Sequence, residues 1–155
     1  MATTTVTSGK RTIKDGTGAD TYNIAADATS VTIAGSMSAD TINVEGLASD
    51  YMVSASGRTI TLKSDTQTIK FQLKAGSGTA TVAFLDGSLT AAVSAKGATL
   101  GTQKLSKKAV EVNDAAMGAA DSTAVDFTGA GGGGAASGGG GLTFTLTTGA
   151  DNANI

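Results

Sequence analysis

Apolar residues in this chain recur at every second position, and that period excludes most folds before composition is considered. Tyr22/Ile24, Val31/Ile33, Ile42/Val44, Ile60/Leu62, Ile69/Phe71/Leu73, Val82/Phe84 and Leu142/Phe144/Leu146 each place apolar side chains on one face of an extended strand. Threonine fills many of the intervening positions, which suits the exposed face of a sheet. Glycine supplies the breaks: Asp15-Gly16, Ala34-Gly35, Ser56-Gly57, Gly76-Ser77-Gly78, Asp86-Gly87 and Lys96-Gly97 predict turns. Many of these breaks lie eight to twelve residues apart, the spacing of an all-β sandwich or a short β-solenoid. Helix is predicted in one place, a short Ala-rich run over 113–120 that Asn113 or Asp114 would cap and Gly118 would close.

The sequence contains no cysteine and no histidine, which removes disulfides, thiolate chemistry, the usual general base and the commonest transition-metal ligand. Oxygen donors are left, and calcium needs nothing else. Aromatic residues are 4% and tryptophan is absent, so burial rests on short rows of Val, Ile, Leu and Ala at roughly 1.5–3 kcal/mol each. Metal or neighbouring subunits are expected to supply the rest. No Gly-x-Ser-x-Gly elbow is present, and Asp20 with Asp40 suits a glycosidase pair poorly because both stand in a repeated turn motif. The chain is therefore expected not to be an enzyme.

Three segments are expected: a β-module over 1–128, a Gly-rich linker over 129–141 and a C-terminal strand with a further turn motif over 142–155. The linker composition gives a coil with an r.m.s. span of roughly 20 Å. Leu142, Phe144 and Leu146 alternate with threonines beyond it, and this strand is expected to complete the sheet of a neighbouring subunit head to tail, the alternative being that the tether lets it fold back on its own sheet.

An internal repeat appears once the aspartates are aligned: Ala19-Asp20-Thr21-Tyr22-Asn23-Ile24, Ala39-Asp40-Thr41-Ile42-Asn43-Val44 and Ala150-Asp151-Asn152-Ala153-Asn154-Ile155. The first two copies are twenty residues apart, about one coil of a parallel β-solenoid in which like positions stack. Gly16-x-Gly18-x-Asp20-x-Tyr22 resembles the nonapeptide repeat of RTX proteins, with Asp15 where the first glycine of that repeat belongs. The resemblance implies RTX-like turns and calcium, with Asp20 as a ligand, carbonyls near Thr17 and Ala19 assisting, and Asp15, Asp40 and Asp151 completing the candidate set. The second reading of the same aspartates makes them turn residues that bond their own backbone.

Residues 40–105, with Phe84-x-Asp86-Gly87-Ser88 and Leu100-Gly101 as markers, resemble a β-module that accompanies such repeats in type I-secreted surface-layer proteins and adhesins. That resemblance implies an extracellular or cell-surface scaffold with an uncleaved export signal. The N-terminus lacks the pattern of a Sec-type signal peptide, and the last repeat copy breaks off in mid-motif, as expected of a piece of a larger parent. Charge is zoned: three basic and six acidic residues over 1–57, eight and two over 58–108, none and five over 109–155. Unlike zones suit self-association, with Lys104, Lys107 and Lys108 as the basic contact. No neighbouring aromatics accompany that cluster, so nucleic acid is not an expected partner. No apolar run approaches the ~20 residues that span a bilayer, so membrane insertion is not expected. The alternative function is an adhesive module that binds cell-surface polysaccharide through rows of Thr29, Thr32, Thr41 and Thr61.

Overall fold

A computed structural model describes residues 2–128 apart from Ala116. The Gly-rich segment and the strand expected over 142–148 lie outside the described residues. Within them the chain is all-β and forms two sheets that enclose one apolar core.

The first strands alternate between the sheets as successive coils. β1 (Thr3–Val6), β3 (Thr21–Ile24), β5 (Asp40–Val44) and β9 (Thr79–Phe84) lie side by side in parallel in the first sheet, while β2 (Gly9–Lys14), β4 (Ala28–Met37) and β8 (Thr68–Leu73) do so in the second. Register follows the repeat: Thr21 pairs with Thr41 and Tyr22 with Ile42, the twenty-residue offset of the aspartate motif. The offset grows to forty between Asp40 and Ala80, because the hairpin β6 (Met52–Ser56) and β7 (Thr59–Lys63) is inserted before the coil resumes in β8.

The rest of each sheet is antiparallel. β10 (Gly87–Ser94), β11 (Gly97–Leu100) and β12 (Gln103–Lys104) continue the first sheet from β9, and β7, β6 and β13 (Val110–Glu111) continue the second from β8. Alternation sends one side chain in two inward. Ile24, Ile33, Ile42, Ile60, Leu62, Phe71 and Phe84 are fully buried between the sheets, each contributing about 1.5–3 kcal/mol over exposure.

Two local expectations are corrected. Ala34-Gly35 is no turn: β4 runs through it, and the pairing with β8 is irregular between Ile33 and Met37. Gly35 is required there because φ is +138° and a Cβ would come 2.9 Å from that of Asp15. The helix expected over 113–120 is absent among the described residues. Asn113 does accept the Ala115 N–H at 3.1 Å, but a single cap bond without an apolar stripe does not overcome helix nucleation, and Gly118 bridges to Ser88 instead. One 3-10 turn, Ala48–Asp50, forms where no helix was expected. No helix among the described residues is long and apolar enough to cross a membrane.

Candidate metal centre

Asp20 and Asp40 share the inward parity of Tyr22/Ile24 and Ile42/Val44, so both carboxylates point between the sheets at the start of their strands. They are 5% and 1% exposed, so their oxygens need partners. Asp20 Oδ1 accepts the Ala2 N–H at 2.8 Å. Asp40 Oδ1 accepts the Asp20 N–H at 2.7 Å and its Oδ2 the Ser38 N–H at 2.8 Å. Each aspartate thus reaches back one coil and caps the residue at its own position there. The reading of these residues as turns bonding their own backbone holds for the Ser38 contact alone.

Asp15 enters from the end of β2, across the loop that leads to Asp20. It is half-buried, and its Oδ1 accepts the Tyr22 hydroxyl. One carboxylate oxygen from each of Asp15, Asp20 and Asp40 lies within 4.8 Å of the others. Such a group of hard oxygen donors can hold a divalent cation. Burial raises the pKa of Asp15; the Tyr22 hydrogen bond opposes this, and the charges of Asp40 and Asp20 add to it. The Tyr22 hydroxyl is pushed up as well, first by burial and then by its bond to Asp15. Asp15 Oδ2 and Asp20 Oδ2 accept no hydrogen bond from the described residues, and Gly16 leaves the approach to the latter open, since a Cβ there would come within 3.0 Å of it.

Of the remaining residues expected at the site, Thr17 and Ala19 are exposed in the loop between Asp15 and Asp20, and no contact ties them to the carboxylates. Asp151 lies outside the described residues, as do Leu142, Phe144 and Leu146. Lys104 is exposed on the last strand of the first sheet, and Lys107 and Lys108 follow in an exposed bend.

Sequence reasoning missed several polar ties between coils. Asn43 donates to Asn23 at 2.8 Å and Asn23 to Thr5 at 3.3 Å, a side-chain ladder on the outer face of the first sheet. The repeated Asn of the aspartate motif was the available signal. At the opposite bend the buried Gln67 donates to the carbonyls of Ala25 and Ala28 at 2.8 and 2.7 Å and accepts the Tyr51 hydroxyl. Burial, with the charges of Asp50 and Glu45, pushes the Tyr51 pKa up to about 12. A lone glutamine beside a turn carries no such signal.

No protein-family model, curated protein or solved structure matches this chain. The class that the geometry defines is an all-β domain of two mixed sheets with a carboxylate cluster between consecutive coils.

Proposed function

We propose that this chain is a non-enzymatic, secreted structural module that self-assembles head to tail into an extracellular layer or filament, with calcium joining consecutive coils. The observation that carries the reading is the convergence of Asp15, Asp20 and Asp40 at one bend, each from a different strand end. A cation bound there offsets the repulsion of three carboxylates whose closeness otherwise costs energy at an apolar boundary. Calcium suits the group better than a smaller ion because it accepts irregular sets of six to eight oxygens, including water and carbonyl. The RTX-like spacing from Gly16 to Tyr22 points the same way.

Extracellular calcium sites bind at about 10⁻⁴–10⁻³ M, and calcium at ten times its Kd would stabilise the fold by about 1.4 kcal/mol. Titration calorimetry on the wild type and on Asp20→Ala tests the site. Heat at millimolar calcium that disappears in Asp20→Ala is the expected result, and equal heat in both proteins sinks the assignment. Negative-stain microscopy with calcium and with chelator tests the assembly, which is expected in calcium alone.

One observation favours the adhesive alternative. Thr3, Thr21, Thr41, Thr81 and Thr90 pair in succession across β1, β3, β5, β9 and β10, one hydroxyl row on the outer face at strand spacing of about 4.8 Å. Thr32 and Thr61 belong to the other sheet, with Lys70 between them. A regular polysaccharide would match such a row. A protein that stays monomeric in calcium and is retained on a glycan column would favour this reading over assembly.

A further inference from the structure

Among the described residues the two sheets end in four outer strands: β1 and β12 in the first, β13 and β2 in the second. A strand edge left open is a template for another strand. Three of the four are poor templates. β12 and β13 are two residues long, and the side chain of Gln103 joins them, donating to Glu111 O at 2.8 Å and accepting the Asn113 N–H at 3.0 Å. β2 carries Lys10, Arg11 and Lys14 and pairs irregularly at Gly9/Lys10, the charge and bulge that discourage pairing. β1, Thr3–Val6, has no charge and no irregularity in its pairing.

We propose that the outer edge of β1 is the docking site of the chain's own segment 142–148. Leu-Thr-Phe-Thr-Leu-Thr-Thr alternates as an added strand must. With Phe144 on the inner face like Val6, Thr143 and Thr145 would fall on the outer face with Thr3 and Thr5. The fold also ties the chain down six residues before the described part ends. Ser122 donates its hydroxyl to Val44 O at 2.7 Å and its N–H to Phe84 O at 2.9 Å, which ties the chain to the C-terminal ends of β5 and β9. A strand beyond β1 would lie three spacings from β5, about 14 Å. Running back along β1 adds about 13 Å, for a total of about 19 Å. The thirteen-residue Gly-rich coil spans about 20 Å and follows Ser122 after six intervening residues, so the segment can reach the β1 edge, and a short flexible tether gives intramolecular docking an effective concentration in the millimolar range. The sequence leaves both a neighbouring subunit and the chain's own sheet open as acceptor; a tether anchored within reach of β1 favours the chain's own edge.

Hydrogen exchange on the full chain, on a truncation after residue 128 and on Phe144→Asp tests this at low micromolar protein. The alternate β1 amides that face outward should be protected at least tenfold in the full chain and lose that protection in both variants, while the amides of β8 stay unchanged. Equal exchange of β1 amides in all three proteins overturns the proposal. Protection that grows with protein concentration, together with larger species in light scattering, also overturns it, because the segment then occupies another copy's edge. That last outcome would leave the assembly reading standing, so the two ideas fail separately.

Discussion

The coiled half of this molecule and its antiparallel half hold their strands together by different means. In the coil, neighbours in the first sheet are separated by eighteen, twenty or forty residues, and side chains tie each turn to the one before it: Asp20 to Ala2, Asp40 to Asp20, Asn43 to Asn23. In the meander, β6–β7 and β10–β11 join through tight turns with Gly57 at φ +60° and Gly97 at φ +115°. Local pairing supplies its own register through turn geometry. Stacked coils have no short turn to set register, and buried polar side chains at the bends do so instead.

β8 belongs to both halves, and the largest expected effect tests whether they are one cooperative unit. Phe71 pairs with Ile33 on the coil side and Ile60 on the meander side. Phe71→Ala should cost about 3–5 kcal/mol. The chain has two tyrosines and no tryptophan, with Tyr22 in the coil and Tyr51 at the start of the meander, so Tyr51→Phe and Tyr22→Phe backgrounds report each half separately. Coincident urea transitions are expected in both. Separate midpoints would break the molecule into two folding units.

Removing a tie should follow in size. Asp40→Ala leaves the buried N–H of Asp20 without its partner, a cost of about 1–3 kcal/mol, and frees the part-buried N–H of the exposed Ser38, which water can satisfy at a smaller cost. Asp40→Asn keeps one acceptor oxygen and should cost less. Urea denaturation in chelator measures both; a loss below about 0.5 kcal/mol in Asp40→Ala, the range of an ordinary surface change, would show that the carboxylates do not hold the coils.

The turns give a smaller and opposite pair. Gly57→Ala places a side chain at positive φ and should destabilise by about 1 kcal/mol. Ala39 already stands at φ +67°, the residue before Asp40, and Ala39→Gly should relieve strain of about 1 kcal/mol, less the added chain entropy of glycine. A rise in thermal midpoint for Ala39→Gly beside a fall for Gly57→Ala is the expected outcome. Falls in both would mean that the Ala39 N–H bond to Thr79 O holds the coil without strain.

Period-two alternation made the strands readable because most inward residues are apolar and most outward ones polar; Val31/Ile33 and Ile60/Leu62 needed nothing more. The repeat offset made the parallel stacking of β3 on β5 readable for the same reason, since like residues fill like positions. Gly35 misled because glycine serves a turn and a close backbone approach equally well, and what approaches, Asp15, is set by tertiary structure. Asp20 and Asp40 were legible as a pair. Their hydrogen bonds to the preceding coil were not, because a carboxylate's choice between its own turn and a neighbouring one depends on the stacking. Asp15 could be placed as a departure from the repeat, whereas its bond to Tyr22 came only with the fold.

The smallest expected effect separates the two halves by pH. Asp15 has a raised pKa in the folded state, chiefly through burial, with Tyr22 opposing and the charges of Asp40 and Asp20 adding. The native state therefore holds that proton more tightly than the unfolded chain does. Its contribution is fully present below the unfolded carboxylate value and is lost as pH rises through the raised one. Asp121 and Asp126, held low by hydrogen bonds from Thr123 and Thr128, have the opposite sign: their contribution is present above the unfolded value and is lost as pH falls through the lowered one. Both are exposed, so solvent screens them and their effect should be slight. Asp15→Asn keeps an acceptor for Tyr22 and removes the charge. In chelator it should raise the thermal midpoint near neutral pH and leave it unchanged near pH 3, where Asp15 is protonated in both states. Millimolar calcium should reverse the neutral-pH advantage, because a bound cation favours the charged carboxylate that the amide variant no longer offers. Thermal scans of both proteins from about pH 3 to pH 7, with and without calcium, read all of this. If Asp15→Asn keeps its advantage at neutral pH in calcium, the three carboxylates repel one another at the bend without a cation to join them.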